Sequence, residues 1–211
     1  YYIGVMEAGR ITLVPTPIGN LKDITLRALD VLRNAHAIAA EDTRTAKILL
    51  NEYDIETPVF PYHVKNEARL APRIIEQALD GRLMAVISES GTPGISDPGY
   101  TLIRKAIEAG VRVEVLPGAS AVLPAVLLSG FPVDGFRFEG FLSHSGKGRR
   151  RRLRKIAEDS PRTTIFYVSP HRITDFLEDA AKILGDRRAA LCRELTKIHE
   201  EVIRGRLSEI M

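Results

Sequence analysis

The sequence predicts an α/β protein in which a domain with a mostly parallel sheet is followed by a smaller mixed α/β domain. Through residue 117, short apolar runs alternate with segments whose leucines recur at helical spacing. Strands separated by single helices form right-handed βαβ units with parallel strands. The pattern then changes to half-polar strands, so we place a boundary within Leu116–Ser129 and predict domains of 9–118 and 119–211.

In the first domain, apolar runs bounded by turn residues predict strands at Ile11–Val14, Ala37–Ala40, Val59–Tyr62, Leu83–Ile87 and Val111–Leu116. Helical spacing predicts helices at Thr25–Asn34, Thr43–Glu52, Glu67–Asp80 and Pro98–Ala109. Gly81 and Gly110 follow two of them where a left-handed residue commonly ends a helix. Asp97 before Pro98 predicts an N-cap followed by proline in the first turn. Pro72 predicts a kink or a break in the third helix.

The second domain is predicted to begin with a helix over Ser120–Ser129. Strands are predicted at Phe136–Glu139, Thr163–Val168, Arg188–Arg193 and Glu201–Arg206. One helix should carry the basic run to about Asp159. Another should start at Ser169-Pro170 and end at Gly185, by the rules of capping and helix termination.

Composition favours an ordinary globular protein in a reducing compartment. The 211 residues are 45% hydrophobic and 27% charged. No apolar run approaches the roughly 20 residues that a membrane helix needs, and no signal peptide is recognisable. The single cysteine, Cys192, is expected to be a buried strand thiol, and its isolation favours the cytoplasm. Met6 is expected to be the natural start, with Tyr1–Val5 upstream.

Positive charge is concentrated in one segment. Seven basic residues and no acid lie between Lys147 and Lys155, so the net charge of +3 leaves −4 on the rest of the chain. Such a run can be a solvated helix face, but like charges at helical spacing repel, which favours a polyanionic partner. We predict RNA contacts at Lys147, Arg149, Arg150, Arg151, Arg152 and Arg154. The nearby Phe136, Phe138 and Phe141 offer rings for base stacking, although Phe136 and Phe138 are better placed to face the core.

Three loops rich in glycine, proline and small residues follow predicted strands. They are Pro15–Asn20, Ser88–Gly99 and Pro117–Ser120. Each alone is compatible with a simple turn, but three at the carboxyl edge of one parallel sheet predict a ligand cleft. No Gly-x-Gly-x-x-Gly follows the first strand, which argues against an ordinary dinucleotide fold. No second histidine follows His199 at helical spacing, so no metal site is predicted.

Six segments together resemble the bacterial small-subunit rRNA (cytidine-2′-O)-methyltransferases of the tetrapyrrole-methylase superfamily. They are Pro15–Leu29, Glu41–Arg44, Ser88–Gly99, Phe138–Phe141, Ser169–Arg172 and Arg193–Lys197. The resemblance runs from about Gly9 to the last residue. It implies two α/β domains with S-adenosylmethionine in the cleft between them, a homodimer, and 2′-O-methylation of a cytidine in the decoding region of 16S rRNA in the small ribosomal subunit. The family pattern extends beyond position 211 and differs here at Glu89-Ser90, Gly94 and Val168.

The same resemblance implies which residues bind the cofactor. From the first part of the chain these are Pro17, Gly19, Glu89, Gly91, Thr92, Ile95, Ser120 and Ala121, and from the second part Tyr167 and Leu195. Amides near the start of the Ser120 helix suit the methionine carboxylate, because helix N-termini favour anions. Glu194, Lys197 and His199 are candidates for a general base, with Asp23, Asp42 and Arg44 as further polar groups. Catalysis by positioning alone is the alternative.

Two other functions remain open at this stage. The same fold could methylate a tetrapyrrole or another small molecule, in which case the arginine run has no obvious purpose. Alternatively, the chain could be a ribosome-binding protein without catalytic activity, which would bind no S-adenosylmethionine.

Overall fold

A computed structural model describes residues 9–159 and 161–211 of the chain. The predicted start at Met6 lies outside the described residues. The chain divides into two compact units, the first ending at Ser120 and the second beginning at Ala121. This division lies two residues beyond the boundary that we placed at 118/119.

The first unit is built on a five-stranded parallel sheet. Its strands are β1 (Arg10–Leu13), β2 (Ala37–Ala40), β3 (Val59–Pro61), β4 (Leu83–Ile87) and β5 (Arg112–Val115), in the order β3-β2-β4-β1-β5. All five predicted strands are present, with ends within one residue of the prediction. The observed pairings are all parallel, as the alternation of strands and helices predicted.

Two pairs of helices cover the sheet, one pair on each face. They are α1 (Leu26–Asn34), α2 (Thr43–Glu52), α3 (Glu67–Leu79) and α4 (Tyr100–Glu108). Successive residues of β4 serve opposite faces: Met84 and Val86 pack with α3 and α4, whereas Ala85 and Ile87 pack with α1 and α2. A sheet covered on both faces needs apolar residues on both, which is why β4 reads as a continuous apolar run.

Helices α1 and α2 begin at side-chain caps, whereas α3 and α4 begin without a side-chain capping hydrogen bond. The side chains of Thr25 and Asp42 accept hydrogen bonds at the starts of α1 and α2, and Gly81 and Gly110 have the predicted positive φ after α3 and α4. Helix α3 continues through Pro72. The N-cap predicted at Asp97 is wrong: α4 begins at Tyr100 and is preceded by Gly99, whose φ of +141° is a conformation that L side chains rarely adopt.

The described part of the second unit, residues 121–159 and 161–211, combines two two-stranded sheets with four α-helices. Strands β6 (Arg137–Phe141) and β7 (Thr164–Tyr167) pair in parallel, and β8 (Arg188–Arg193) and β9 (Glu201–Arg206) pair antiparallel. The helices are α5 (Val122–Ser129), α6 (Gly146–Glu158), α7 (Ile173–Leu184) and α8 (Leu207–Ile210). Ser169-Pro170 opens a short 3-10 turn that leads into α7, and Gly185 ends that helix as predicted.

The core of this unit gathers around Leu153 of α6, Phe176 of α7 and Leu207 of α8. Cys192 on β8 is half-buried, and burial raises the pKa of its thiol. It therefore fits a packing role. No helix among residues 9–159 and 161–211 combines the length and apolar character needed to cross a bilayer.

Candidate active site

The strand order of the first unit creates a topological switch point between β1 and β4. These strands are neighbours, yet β1 connects through α1 to β2 on one side and β4 connects through α4 to β5 on the other. Chain connections that leave neighbouring strands in opposite directions open a crevice at the carboxyl ends of the strands. Ligands of open α/β sheets bind in such crevices.

The loops that follow β1 and β4 are joined at this point by backbone hydrogen bonds. Thr16 and Gly91 each donate an N–H to the other's carbonyl oxygen at 2.9 Å, and the Thr16 hydroxyl donates to the carbonyl of Ser88 at 3.3 Å. Gly91 has a φ of +82°, which favours glycine. The two loops therefore form one small antiparallel bridge above the sheet.

The loop that follows β5 is attached to the same structure. The Thr92 hydroxyl donates to the carbonyl of Ala119 at 3.1 Å. A Cβ on Gly118 would lie 2.7 Å from the Cβ of Pro15, so the β5 and β1 loops touch where only glycine fits. The predicted convergence of the three loops is therefore present, and its cause is the adjacency of β4, β1 and β5 in the sheet.

The structure places the predicted cofactor residues of the first part of the chain on or beside these joined loops. Gly91 is buried, Ile95 is 49% exposed, and Glu89 and Gly19 are exposed, while the half-buried members are Pro17, Thr92, Ser120 and Ala121. Ser120 ends the β5 loop, and Ala121 precedes the first residue of α5. Small side chains and accessible backbone give the joined loops the character of a binding surface.

We expect Gly118→Ala to weaken the binding of S-adenosylmethionine by about tenfold, because overpacking typically costs about 1–3 kcal/mol. The added methyl group would force the β5 loop away from the rigid ring of Pro15. Isothermal titration calorimetry measures the affinity. Gly110→Ala is the control for backbone strain: alanine rarely adopts its φ of +75°, but nothing lies within 4 Å of the added Cβ, and Gly110 precedes β5 instead of following it. Equal affinities for the two variants would contradict a role of the joined β1, β4 and β5 loops in binding the cofactor.

Three carboxylates that the sequence analysis did not connect lie at the same edge of the sheet. Glu41 directly follows β2, Glu89 follows the neighbouring β4, and Asp97 lies in the β4 loop. Burial, reinforced by the charges of Glu41 and Glu89, raises the pKa of Asp97 to about 6, although a hydrogen bond from Ser88 opposes the rise. Burial also raises the pKa of Glu41, against a hydrogen bond from the Glu89 amide.

These three residues, Glu41, Glu89 and Asp97, are called the acidic cluster below. A group of like charges that shifts the protonation of its own members is typical of a functional site. The sequence carried a signal for it, since carboxylates follow two apolar runs that the sheet makes neighbours. Among the residues that the structure describes, no set of three or more His, Cys, Asp or Glu side chains is arranged to hold a metal ion.

Asp42 and Arg44, which the sequence offered as polar candidates, form a local structural pair. The Asp42 side chain accepts hydrogen bonds from the Arg44 guanidinium at 2.6 and 3.1 Å and from the Arg44 amide at 2.7 Å. These hydrogen bonds from Arg44 lower the pKa of Asp42 to about 2. A carboxyl group so strongly biased toward its charged form is a poor proton acceptor, so Glu41 is the more suitable member of this segment.

The predicted site residues of the second unit lie at the ends of its strands. Tyr167 is the last residue of β7, and its ring contacts Phe138 at a centroid distance of 4.9 Å. Leu195 is buried, 7% exposed, just after β8. Their predicted role in cofactor binding stays a prediction.

The three predicted base candidates share the turn that connects β8 to β9. Glu194 has a φ of +53°, and its carboxylate accepts a hydrogen bond from the Lys197 ammonium at 3.1 Å. Thr196 in the same turn has a φ of +68°. His199 is exposed. Positive φ at two residues other than glycine is a costly conformation that often occurs at functional sites.

The basic run forms α6, and the structure divides its cations into two groups. Arg149 is 8% exposed, its guanidinium Nε donates a hydrogen bond to Oδ2 of the buried Asp179 at 2.8 Å, and its Nη2 forms an ion pair with the same oxygen at 2.8 Å. The guanidinium of Arg152 binds both oxygens of Glu139 at 2.7 Å. Arg149 is therefore not among the exposed cations of α6, because Asp179 neutralises its charge inside the unit, and the RNA contact predicted for it stays a prediction.

The remaining cations of α6 are on its surface. Arg150 lies 3.6 Å from Asp179 with its side chain 45% exposed. The other cations, Lys147, Arg151, Arg154 and Lys155, are exposed, and no ion pair with them is found among the described residues. These four and Arg150 are the charges available to a polyanion.

Comparison with known proteins agrees with the architecture. The family model described as Tetrapyrrole (Corrin/Porphyrin) Methylases matches residues 10–211. A relative from Halalkalibacterium halodurans, named ribosomal RNA small subunit methyltransferase I, is 47% identical over 96% of this chain and 70% of its own length. A Thermotoga maritima protein of the same name is 43% identical over 95% of this chain and 90% of its own length.

The fold similarity extends to solved structures of methyltransferases. The uroporphyrin-III C-methyltransferase of Thermus thermophilus, crystallised with S-adenyl homocysteine, superposes with a TM-score of 0.67 at 20% identity, covering 96% of this chain and 90% of that one. The family model and the two relatives, together with the joined strand-end loops, lead to one conclusion. This chain belongs to the tetrapyrrole methylase family and, within it, to the ribosomal RNA small subunit methyltransferases I.

Proposed function

We propose that this chain transfers the methyl group of S-adenosylmethionine to the ribose 2′-oxygen of a cytidine in the decoding region of 16S rRNA. The observation that carries the proposal is the joining of three strand-end loops at a switch point, in a chain whose relatives at 43% and 47% identity are named rRNA methyltransferases. The concentration of exposed cations on α6 supports a polyanionic substrate, and the names of the two relatives favour rRNA over a tetrapyrrole.

The residues present fit S-adenosylmethionine. Backbone groups of the β1, β4 and β5 loops approach one another where Gly91 and Gly118 leave no side chain in the way. The acidic cluster suits a cofactor that carries a sulfonium and an ammonium charge. When bound, S-adenosylmethionine supplies an electrophilic methyl group. The loop residues named above, with Tyr167 and Leu195 as proposed contacts from the second unit, would hold it in place.

Two tasks fall to the protein itself. The first is to fix the ribose hydroxyl in line with the methyl group, since correct positioning can supply roughly 7–11 kcal/mol of the barrier. The second is to accept the hydroxyl proton. Asp97, with a pKa raised to about 6, is charged at neutral pH and still basic enough to serve, whereas Glu194, Lys197 and His199 remain the alternative base candidates.

We further propose that the enzyme acts as a homodimer in the cytoplasm, where small ribosomal subunits assemble. Leu123 and Leu127 lie one turn apart on α5 and are 56% and 68% exposed, which suits an interface between copies. Sedimentation equilibrium of the wild type and of Leu127→Glu tests the dimer, and equal masses would refute this use of α5.

The proposed reaction is tested with tritiated S-adenosylmethionine and small subunits from a strain that lacks the modification. We expect tritium in an alkali-resistant dinucleotide, because 2′-O-methylation blocks cleavage of the adjacent phosphodiester. Large subunits serve as the control acceptor. Label only in mononucleotides would contradict ribose methylation, and no transfer to small subunits would contradict the function itself.

A further inference from the structure

The exposed ring at the end of β6 lies in a pocket whose walls carry free cations. The pocket has a volume of about 360 Å³ and belongs wholly to the second unit. It is lined by Glu139, Phe141, Leu142 and Ser143, together with Gly148, Arg151, Arg152 and Lys155 of α6. The volume falls within the range of small-ligand sites.

A β-bulge in β6 places Phe141 on the surface. The pairing of β6 with β7 shifts register between Phe138 and Gly140, and Gly140 has a φ of +61°. In a regular strand, residues three apart point to opposite faces, whereas the bulge lets Phe138 and Phe141 both reach Tyr167. Bulges that re-aim side chains are common next to functional sites.

The ring of Phe141 is supported and yet open to solvent. Its centroid lies 5.3 Å from that of Tyr167, with the planes tilted by 54°, while the residue stays 58% exposed. The next residue, Leu142, packs against the core of the unit and anchors the segment. An aromatic ring held in place but not covered is suited to stacking with a planar partner.

The cations beside the ring include a pair that no described carboxylate neutralises. Arg151 and Lys155 are four residues apart on α6, so they project from the same side of the helix and repel each other. Arg152 between them is occupied by both oxygens of Glu139. A ligand of this pocket therefore combines a planar ring with negative charge, which is the chemistry of a nucleotide.

We propose that Phe141 stacks on an unpaired base of the RNA substrate while Arg151 and Lys155 contact its phosphates. This inference rests on the proposed rRNA methyltransferase function and names the form of RNA that the enzyme selects. A base inside a duplex cannot present its face to a side chain, so the pocket selects a single-stranded nucleotide beside the target. Base–aromatic stacking is tolerant of sequence, so it favours unpaired RNA without choosing a base.

The test uses the whole 211-residue chain and a short single-stranded oligoribonucleotide that contains 2-aminopurine, compared with the same strand annealed to its complement. We expect the wild type to prefer the single strand and to quench the 2-aminopurine fluorescence. Phe141→Ala and Phe141→Leu should weaken single-strand binding by about tenfold and abolish the quenching, while Phe141→Trp keeps both. Leucine retains the apolar contact, so the comparison isolates the aromatic face.

Salt dependence separates stacking from charge. Arg151→Ala and Lys155→Ala should each reduce the slope of log affinity against log salt by about 0.7, whereas Phe141→Ala should leave the slope unchanged. Lys182→Ala is the charge control, because Lys182 is exposed on α7 and pairs with Glu178. Its slope should equal that of the wild type.

Two results would overturn the inference. The first is unchanged single-strand affinity and quenching in both Phe141→Ala and Phe141→Leu. The second is a loss of S-adenosylmethionine affinity by calorimetry in both Phe141→Ala and Phe141→Leu but not in Phe141→Trp, which would assign the aromatic face to the cofactor's adenine. The two proposals can fail separately. If the wild type does not methylate small subunits but prefers single strands, and Phe141→Ala lacks that preference, the proposed function fails and the stacking site stands.

Discussion

Arg149→Ala should lower the free energy of unfolding by about 3–5 kcal/mol, the largest stability effect expected from any cation of α6. The substitution leaves Asp179, which is 7% exposed, with a buried charge and without the 2.8 Å hydrogen bond and ion pair that neutralise it. The neighbouring Arg150 guanidinium lies 3.6 Å from the other oxygen of Asp179 and cannot replace the direct 2.8 Å contact without moving.

Urea unfolding followed by circular dichroism measures this effect. Arg151→Ala is the matched control, since Arg151 is exposed on the same helix and its loss should change stability by less than about 0.5 kcal/mol. The double variant Arg149→Met/Asp179→Leu should recover most of the loss, because apolar residues of similar volume replace buried ion pairs well. If Arg149→Ala is as stable as the wild type but binds RNA more weakly, Arg149 contacts RNA and does not serve to neutralise Asp179.

This contrast shows what a linear charge pattern can and cannot predict. The basic run from Lys147 to Lys155 predicted a helix and a polyanionic partner. Which cations remain available depends on acids far away in sequence, such as Asp179, 30 residues beyond Arg149. A contact between α6 and α7 leaves no trace in either helix's own periodicity.

The fold of the first unit was predictable for the opposite reason. Its strands are short apolar runs, its helices repeat leucines at helical spacing, and its loops need glycine and proline, so each signal is local. The start of α4 was predicted wrongly because Asp97-Pro98 satisfies a local rule. The fold instead ties the amide of Gly99 to the Glu67 carboxylate at 3.2 Å, and Asp97 stays with Glu41 and Glu89.

Asp97→Asn should slow methyl transfer by about a hundredfold or more while it stabilises the fold. Asp97 has a pKa of about 6 in the folded protein against an ordinary value of 3.8, so the folded state retains its proton to higher pH. Its contribution to stability is thus fully present below pH 3.8 and is lost as the pH rises through 6. At pH 8 the asparagine variant should be more stable by about 1–2 kcal/mol, and this gain should vanish near pH 4.

Asp42→Asn provides a control of opposite sign. The pKa of Asp42 is lowered to about 2, so its contribution is present above pH 3.8 and disappears as the pH falls through 2. Its asparagine variant should therefore lose stability at neutral pH. Urea unfolding at pH 4 and pH 8 measures the stability of both variants. A loss of stability in Asp97→Asn at pH 8 would contradict the raised pKa of Asp97 in the folded protein.

Glu41→Gln decides which carboxylate of the acidic cluster accepts the proton. The charge of Glu41 is the second cause of the raised Asp97 pKa, after burial. If Asp97 is the base, the wild-type rate should rise with pH through about 6, and Glu41→Gln should remain active with its midpoint shifted to lower pH. Single-turnover methylation from pH 5 to pH 8 measures the profiles, with pre-steady-state mixing so that product release does not hide the chemical step. An inactive Glu41→Gln beside a fully active Asp97→Asn would assign proton transfer to Glu41. Full activity in both would leave either the β8–β9 turn, with Glu194, Lys197 and His199, as the source of the base, or catalysis by positioning alone.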